Sequence, residues 1–402
     1  MEDIKILFAG DFCPINRIER LALEDKAGAA FGNVLTELHD KDLSVVNLEC
    51  PLTKSNSSIY KSGPSLKADP KAVECIKAGG FDIVNLANNH IADYGSLAVN
   101  ETIFLLGSNK IKHVGAGSSI FTAWKPLRVQ CKGKVIVFLA FAEHEFNWAD
   151  EKNAGAWPLD PIINIPQIRE AKADSDFVVV MVHGGNEYNP VPSPRIAKTY
   201  RAFVDAGATV VVGTHPHVPQ GYEVYRSAPI FYSLGNFVFD SEQKHTKESL
   251  WAKSYMVRLN FQENSVKDIE IIPYRALAET GCLTLLKDKE LGEFVTYVDF
   301  LSRILKDDGE IKKYWYAWCA LMGPKWLRWL SLCSPIALTH TVLHWKHFGA
   351  MKCFLAARNL ITCEAHNDIL NTYMDLVVKN QLETSKEHIP VIKMLQKGKM
   401  PI

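Results

Sequence analysis

Residues 210–217 read Val-Val-Val-Gly-Thr-His-Pro-His, a short apolar run that ends in two histidines at alternate positions. The run is rich in β-branched residues and has the length of a buried strand. In α/β sheets, ligands collect at the carboxyl ends of the strands, so His215 and His217 stand where a binding site is expected. Two imidazoles on alternate residues can point at one centre or at two adjacent ones, which is a stronger signal than a single histidine.

Five further segments repeat this arrangement of an apolar run followed by polar side chains. The polar residues are Asp11; Asn47 and Glu49; Asn88, Asn89, His90 and Asp93; His183; and Asn236. Each of these residues alone is a weak indication of a binding site, because an aspartate after a strand is usually a cap or turn former and a lone histidine is usually a core residue. Together and in this order they form the ligand set of a two-metal hydrolytic site. Mixed imidazole, carboxylate and amide ligands favour two divalent transition-metal ions, Mn, Fe or Zn.

Short apolar runs alternate with helical stretches from residue 1 to about residue 275. The helical stretches include 70–79 and 193–206, and the second has Pro194 just inside its start and Gly207 just past its end. Proline and glycine at these positions are typical of helix boundaries. The alternation predicts an α/β core with both sheet faces covered by helices.

The composition is that of an ordinary globular protein. The 402 residues include 45 Lys plus Arg and 45 Asp plus Glu, so the net charge gives no reason to expect a nucleic-acid partner. The nine cysteines contain no Cys-x-x-Cys pair, which favours buried thiols in a reducing compartment over a disulfide framework. An acidic pair at residues 2 and 3 replaces the basic region of a signal peptide. We therefore expect a cytoplasmic protein, with a peripheral position at the inner face of the membrane as an open alternative.

The pattern changes near residue 283, where a predicted domain over residues 1–282 gives way to a mainly helical C-terminal region over 283–402. Residues 311–363 contain seven lysines and arginines, no aspartate or glutamate, and five of the nine tryptophans. This combination suits an amphipathic helical surface that contacts a membrane or a protein partner. The alternative, a plain helical domain with the tryptophans in its core, has about equal weight. The longest uncharged run, 329–345, has 17 residues and is short for a transmembrane helix.

The motifs between residues 4 and 240 resemble the CapA, or poly-γ-glutamate capsule-synthesis, branch of the calcineurin-like metallophosphoesterases. The matching motifs are Gly10-Asp11, Asn47-Leu-Glu49, Leu86-Ala-Asn-Asn-His90 with Asp93-Tyr-Gly95, His183-Gly-Gly, Gly213-Thr-His-Pro-His217 and Ser233-Leu-Gly-Asn-Phe237. In combination they are quite specific. The resemblance implies a four-layer αββα sandwich, in which two sheets are flanked by helices.

The resemblance also implies a role for each residue. Asp11 and His217 would bind one metal, Asn89, His183 and His215 would bind the other, and Glu49 would bridge them. Asn88 stays an alternative to Asn89 as the ligand, and it is otherwise assigned with Asn47 and Arg195 to an anionic substrate. His90 would act as general acid or electrostatic stabiliser, with Asp93 and Asn236 completing the catalytic group.

Two positions depart from the relatives' motifs. Cys13 stands where ordinary phosphoesterases have a histidine two residues after the aspartate, which predicts a weaker first metal site. Gly184 stands where CapA-type proteins commonly have tryptophan, which predicts a wider pocket.

Three functions are consistent with these residues. The first is a metal-dependent phosphoric ester hydrolase that acts on an anionic or phosphorylated small molecule or polymer in capsule, poly-γ-glutamate or exopolysaccharide biosynthesis. The second is a non-catalytic accessory or scaffold protein of a membrane-associated capsule-synthesis complex, which Cys13 and the basic, Trp-rich region favour. The third is a polymer-binding module that uses the same cleft without turnover. Action on a capsule polymer follows from the family resemblance alone.

Overall fold

The computed structural model describes residues 3–240, 249–276, 281–331 and 348–401. Within these ranges two large sheets pack against each other, helices cover their outer faces, and further helices form the C-terminal region. The predicted α/β class, the sandwich of two sheets flanked by helices and the helical C-terminal region are confirmed.

The first sheet contains the strand that begins the chain. Its strands, in order across the sheet, are β16 (Thr284–Leu285), β15 (Ser265–Arg275), β14 (Lys253–Gln262), β1 (Ile4–Cys13), β2 (Leu43–Leu48), β3 (Ile83–Asn85) and β4 (Lys112–Val114), and β13 (Asn236–Phe239) also pairs with β1. Strands β1 to β4 and β13 pair in parallel, whereas β14 to β16 pair antiparallel. The register aligns Asn236, Asp11, Asn47 and Asn85 in one polar row across four strands.

The second sheet supplies the histidine-bearing strands. Its order is β11 (Tyr222–Tyr225), β12 (Ala228–Phe231), β10 (Val210–Thr214), β9 (Phe177–His183), β7 (Lys134–Ala142) and β6 (Leu127–Cys131), and a small separate sheet pairs β5 (Ala116–Gly117) with β8 (Gly155–Ala156). The four central strands are parallel, and every residue of β9 and β10 is buried. Continuous apolar runs are expected for parallel strands that are covered on both faces.

The helices connect the strands and then form the C-terminal region. The α-helices are α1 (Arg17–Leu23), α2 (Leu35–His39), α3 (Val73–Ala78), α4 (Gly95–Ser108), α5 (Ile120–Ala123), α6 (Pro161–Ala173), α7 (Pro194–Asp205), α8 (Asp288–Ile304), α9 (Asp308–Ser331), α10 (Phe348–Thr362), α11 (Glu364–Val378), α12 (Leu382–Lys386) and α13 (Ile389–Leu395). Short 3₁₀ helices span Ala27–Val34, Pro70–Ala72 and Leu250–Ala252. The predicted helix over 193–206 is α7, which starts at Pro194 because Ser193 caps it by accepting a hydrogen bond from Ile196 N.

The tryptophans of α9 whose side chains are described are buried or partly buried against the rest of the protein. Trp315 and Trp318 are buried, and the ring of Trp326 lies 4.6 Å from that of His366. For these three, the packing fits the core alternative. The uncharged run 329–345, with its two tryptophans, lies outside the residues whose side chains the structure describes. In the described part of the chain, no helix has both the length and the hydropathy needed to cross a membrane.

The division into domains at residue 282 stays a prediction. Strand β16, at residues 284–285, pairs with β15 and so extends the first sheet past that boundary. From α8 onward the described chain is helical.

Candidate metal centre

The structure brings the six predicted metal ligands together where the two sheets meet. Asp11 lies in β1, Glu49 directly follows β2, Asn89 lies in the loop after β3, His183 ends β9, and His215 and His217 follow β10. All six side chains are buried. Because these strands are parallel to their neighbours, their carboxyl ends lie at one end of the sandwich, and this geometry gathers residues that are far apart in the chain.

The potential ligand atoms form two adjacent groups that share Glu49. One group contains Glu49, His183 and His215, the other contains Asp11, Glu49 and His217, and the atoms of each group lie within 4.8 Å of one another. Glu49 Oε1 lies 3.6 Å from the Nε2 atoms of both His183 and His217. This is the arrangement that the resemblance implies, with Glu49 between two cations. The assignment of each residue as a ligand stays a prediction.

Asn89 adjoins the first of these groups through its amide oxygen. Asn89 Oδ1 lies 3.0 Å from His183 Nε2, which in turn lies 3.1 Å from His215 Nδ1. The neighbouring Asn88 is turned the other way, because its amide donates to Leu48 O at 2.7 Å. The geometry therefore favours Asn89 over Asn88 as the amide ligand.

Glu49 lacks the partners that a buried carboxylate requires. Neither of its carboxylate oxygens has a hydrogen-bond partner among the described residues. Burial, together with the charge of Asp11, raises the pKa of Glu49 well above its ordinary value. A buried carboxylate without hydrogen bonds is costly, whereas cations on either side would satisfy both oxygens. The residues present therefore fit a pair of metal ions.

The turn after β10 has an uncommon backbone conformation at both histidines. His215 and His217 have φ angles of 99° and 58°, a region that residues other than glycine rarely adopt. In this turn His215 N donates to Asp11 Oδ2 at 3.2 Å, and His217 Nδ1 lies 3.5 Å from the same oxygen. The close packing needed around Asp11 is also visible at Gly10, where an added Cβ would lie 1.9 Å from Gly235 O.

Two asparagines contact candidate ligands, and a third contacts the backbone of His90. Asn47 Nδ2 donates to Asp11 Oδ1 at 2.8 Å, and Asn236 Oδ1 lies 2.9 Å from His217 Nδ1. A partner on Nδ1 leaves Nε2 as the ring nitrogen that faces Glu49, which is how histidine ligands are commonly oriented. Asn88 Oδ1 accepts from His90 N at 3.2 Å. These placements favour supporting roles, and the assignments of Asn47 and Asn88 to substrate and of Asn236 to catalysis stay predictions.

His90 and Asp93 lie beside the ligands in a buried polar group that also contains Lys61. His90 Nδ1 lies 2.7 Å from Asp93 Oδ2, and Lys61 Nζ lies 2.5 Å from Asp93 Oδ1. Asn147 Nδ2 donates to the same carboxylate at 3.3 Å. Burial and the charge of Lys61 lower the pKa of His90, so its ring is neutral at neutral pH. Lys61 and Asn147 were not predicted from the sequence.

Arg195 is engaged by carboxylates on two sides. It forms an ion pair with Glu143, and its Nε lies 2.5 Å from Asp368 Oδ2 in α11. Glu143 also accepts from Gly185 N at 2.8 Å and occupies the space beside Gly184, where an added Cβ would lie 2.8 Å from Glu143 Cγ. Glu143 therefore occupies the space next to Gly184, and the wider pocket expected there stays a prediction. The pairing favours a role for Arg195 in joining α11 to the core, and its assignment to substrate stays a prediction.

Cys13 occupies the motif position of a histidine, but it does not serve as a candidate metal ligand in its place. Its side chain is buried, and burial and the neighbouring Cys50 raise its pKa well above the ordinary value. Cys13 belongs to neither ligand group that contains Glu49, so the geometry gives it no place among the candidate ligands.

Glu145 connects the candidate centre to the C-terminal helices and was missed in the sequence. Its Oε2 accepts from Asn89 Nδ2 at 3.0 Å and lies 4.0 Å from His215 Nε2. Burial alone would raise its pKa, but the neighbouring His366 and His215 outweigh burial and lower the pKa to about 2. The sequence does contain a signal for Glu145. Glu143-His-Glu145 directly follows the apolar run at 135–142, and polar residues after an apolar run are the pattern that identified the other site residues.

Comparisons with known proteins find similar sequences over the region that contains these residues. The family model described as "Bacterial capsule synthesis protein PGA_cap" matches residues 5–241. Capsule biosynthesis protein CapA of Bacillus anthracis is 31% identical over 286 residues, which are 68% of this chain and 67% of that protein. PGA biosynthesis protein CapA of Bacillus subtilis (strain 168) is 35% identical over 272 residues, 66% of this chain and 70% of that protein.

More distant similarities extend beyond these two proteins. A Mycobacterium tuberculosis protein named "Probable polyglutamine synthesis accessory protein" is 26% identical over 250 residues, 58% of this chain and 66% of that protein. Among solved structures, a hypothetical protein from Thermus thermophilus aligns with 68% of this chain and 100% of that one, with a TM-score of 0.45 and 18% identity.

Proposed function

The chain belongs to the PGA_cap family of bacterial capsule synthesis proteins, and from this premise we propose that it is a dinuclear-metal-dependent phosphoesterase. Its substrate would be an anionic or phosphorylated small molecule or polymer in poly-γ-glutamate or exopolysaccharide biosynthesis. The observation that carries the proposal is the position of Glu49. Its two buried oxygens have no hydrogen-bond partner in the part of the chain that the structure describes, and its Oε1 lies 3.6 Å from the Nε2 atoms of both His183 and His217.

The residues around Glu49 divide into two ligand sets. Asp11 and His217 would hold one cation, Asn89, His183 and His215 would hold the other, and Glu49 would contact both. Two divalent transition-metal ions, Mn, Fe or Zn, would supply a nucleophilic water at neutral pH and would stabilise charge on a phosphoryl group. Asn47 orients Asp11 by donating a hydrogen bond to its carboxylate, and Asn236 orients His217 through the ring nitrogen Nδ1.

His90 is the residue that we assign to the leaving oxygen. Asp93 engages its Nδ1 atom, so Nε2 is the ring nitrogen that is available to a substrate. The ring is neutral without a ligand, because burial and Lys61 lower its pKa. An anionic phosphoryl group nearby would favour the protonated ring, since an opposite charge stabilises the charged form. Substrate binding would thus prepare His90 to donate a proton.

A second function, a non-catalytic accessory role in a capsule-synthesis assembly, is supported by two observations. The Mycobacterium tuberculosis relative is named as an accessory protein, and Cys13 stands at a motif position where ordinary phosphoesterases have a histidine. In this function, residues 311–363 would contact a membrane surface or a protein partner at the cytoplasmic side.

Metal analysis and phosphoester turnover on the same preparations separate the two functions. The double variant His215→Ala/His217→Ala should contain about two fewer transition-metal ions per chain than the wild type. With Mn²⁺, the wild type should hydrolyse an aryl phosphomonoester or phosphodiester, and His90→Asn should lose about 10²-fold of the rate or more at unchanged metal content. The matched control is His39→Asn, at an exposed position of α2, which should retain full activity.

Two outcomes contradict the proposal in different ways. Equal metal content in the wild type and the double histidine variant would remove the dinuclear centre. A wild type that carries these ions and is inert on a broad phosphoester panel would remove the hydrolase and leave the accessory function.

A further inference from the structure

A second cluster of metal-ligating side chains lies where the C-terminal helices meet the sandwich. Glu145, in the loop after β7, lies beside Cys363 and His366, and potential ligand atoms of the three are within 4.8 Å of one another. Cys363 is the buried N-cap residue of α11, and His366 lies in the first turn of that helix. The spacing Cys363-x-x-His366 therefore presents a thiol and an imidazole from one helix start to a carboxylate of the core.

Asn359, near the end of α10, supplies a fourth polar group to this cluster. Its Nδ2 atom lies 3.3 Å from Glu145 Oε1 and 3.2 Å from His366 Nδ1. Its Oδ1 atom is buried and has no hydrogen-bond partner among the described residues. A half-turn of the amide exchanges the two atoms and brings the oxygen to these same distances from the carboxylate and the imidazole.

These separations match those of ligands that share one tetrahedral ion. With metal–ligand bonds of about 2.0–2.1 Å to nitrogen and oxygen, neighbouring tetrahedral ligands lie about 3.3 Å apart. The ring of Trp326 packs against His366 at a centroid distance of 4.6 Å and so restricts the orientation of the imidazole. Without an ion, the amide oxygen of Asn359 finds no hydrogen-bond partner within the described ranges, and this is a cost that a cation would remove.

We propose that Glu145, Asn359, Cys363 and His366 form a separate, mononuclear transition-metal site, with zinc as the ion that this ligand chemistry favours. A thiolate combined with imidazole and oxygen ligands suits zinc, and four protein ligands are typical of a structural site. The site is distinct from the Glu49 centre, since it shares no ligand with it. Glu145 connects the two, because its other oxygen accepts from Asn89 Nδ2 at 3.0 Å.

The site would fasten the C-terminal helices to the loop that supports the Glu49 centre. Other contacts join the same two parts: His144 Nδ1 lies 2.5 Å from Glu364 Oε1, and Asn186 Nδ2 donates to Ala365 O at 2.9 Å. A cation at the start of α11 would add a link that depends on metal supply. Loss of the cation would therefore weaken the contact between α11 and the core. It would also weaken the support that Glu145 gives to Asn89.

Cobalt substitution of the full-length protein tests the site, because a cysteine thiolate bound to Co²⁺ gives an intense near-ultraviolet charge-transfer band. The Glu49 centre contains no cysteine among its candidate ligands, so the band reports on Cys363. We expect the band in the wild type, its loss in Cys363→Ser, and its retention in Cys131→Ser, a half-buried thiol elsewhere in the chain. The total metal content of Cys363→Ser should fall by about one ion per chain.

The variants also separate this proposal from the proposed function. The double variant His215→Ala/His217→Ala should keep the thiolate band while it loses the ions of the Glu49 centre. His366→Gln, which leaves the buried thiol in place, should remove or shift the band even if Cys363→Ser does not fold. Absence of the band in folded wild type, or its persistence in Cys363→Ser, would overturn the proposal and leave the Glu49 centre untouched.

Discussion

Replacement of Glu49 by glutamine should stabilise the metal-free protein and weaken its binding of cations. Glu49 is fully buried, its two carboxylate oxygens have no hydrogen-bond partner among the described residues, and Asp11 adds a like charge nearby. Glutamine keeps the shape of the side chain and removes the charge. The two effects have opposite signs.

The magnitude follows from the missing partners. An unsatisfied buried polar group costs about 1–3 kcal/mol, and more when it is charged, so Glu49→Gln should raise the free energy of unfolding of the metal-free protein by roughly 1–3 kcal/mol at about pH 8. The pH dependence has a definite sign because the folded-state pKa of Glu49 is raised from its ordinary 4.5. The stability linked to its protonation is fully present below that ordinary value and is lost as the pH rises through the folded-state value. The advantage of Glu49→Gln should therefore shrink at about pH 5.

Urea unfolding of chelator-treated wild type, Glu49→Gln and the exposed control Glu151→Gln measures this effect at both pH values. Added Mn²⁺ should stabilise the wild type, by about 2.7 kcal/mol at a concentration 100 times Kd, and should stabilise Glu49→Gln much less. The reasoning is refuted if Glu49→Gln destabilises the metal-free protein at about pH 8, or if Mn²⁺ stabilises both proteins equally.

Two other substitutions test the residues around the ligands. Asn236→Ala removes the group that holds His217 Nδ1 and should weaken one Mn²⁺ affinity by about 10–100-fold in calorimetric titration; an unchanged affinity would contradict the orienting role. Lys61→Met leaves the buried Asp93 carboxylate without its ion pair and should cost about 3–5 kcal/mol in urea unfolding. The double variant Lys61→Met/Asp93→Asn should recover most of that loss, and no recovery would mean that the pair is not the source of the cost.

The convergence of the ligands could be predicted because it follows from sheet topology. Once apolar runs are read as parallel strands, the polar residues that follow them must lie at one end of a sheet. The register bears this out at Asp11 and Asn47, which are direct neighbours across β1 and β2. The same rule would have found Glu143 and Glu145 after β7, had it been applied to that run.

The rest of the site depends on contacts that no local pattern records. Lys61 reaches Asp93 from the long segment between β2 and α3, which has neither periodicity nor a strand end to mark it. From the sequence, Arg195 looks available to bind an anionic substrate near the site. In the structure it forms an ion pair with Asp368 in α11. Cys363 and His366 lie more than 200 residues from Glu145, and only the packing of the C-terminal helices brings the three together.

The conformational and electrostatic costs of this chain concentrate where the candidate ligands meet. His215 and His217 both have positive φ angles, each worth about 1–3 kcal/mol of strain, and Glu49 adds two oxygens that the described residues leave without a hydrogen bond. Against a net stability of about 5–15 kcal/mol for a typical domain, these costs are large, and the buried strands on both sides must offset them. Cations would remove the largest of them by contacting Glu49, so metal binding and folding stability should be coupled. The substitution that relieves the cost must therefore also remove the binding energy, which is why Glu49→Gln is expected to act with opposite signs in the two states.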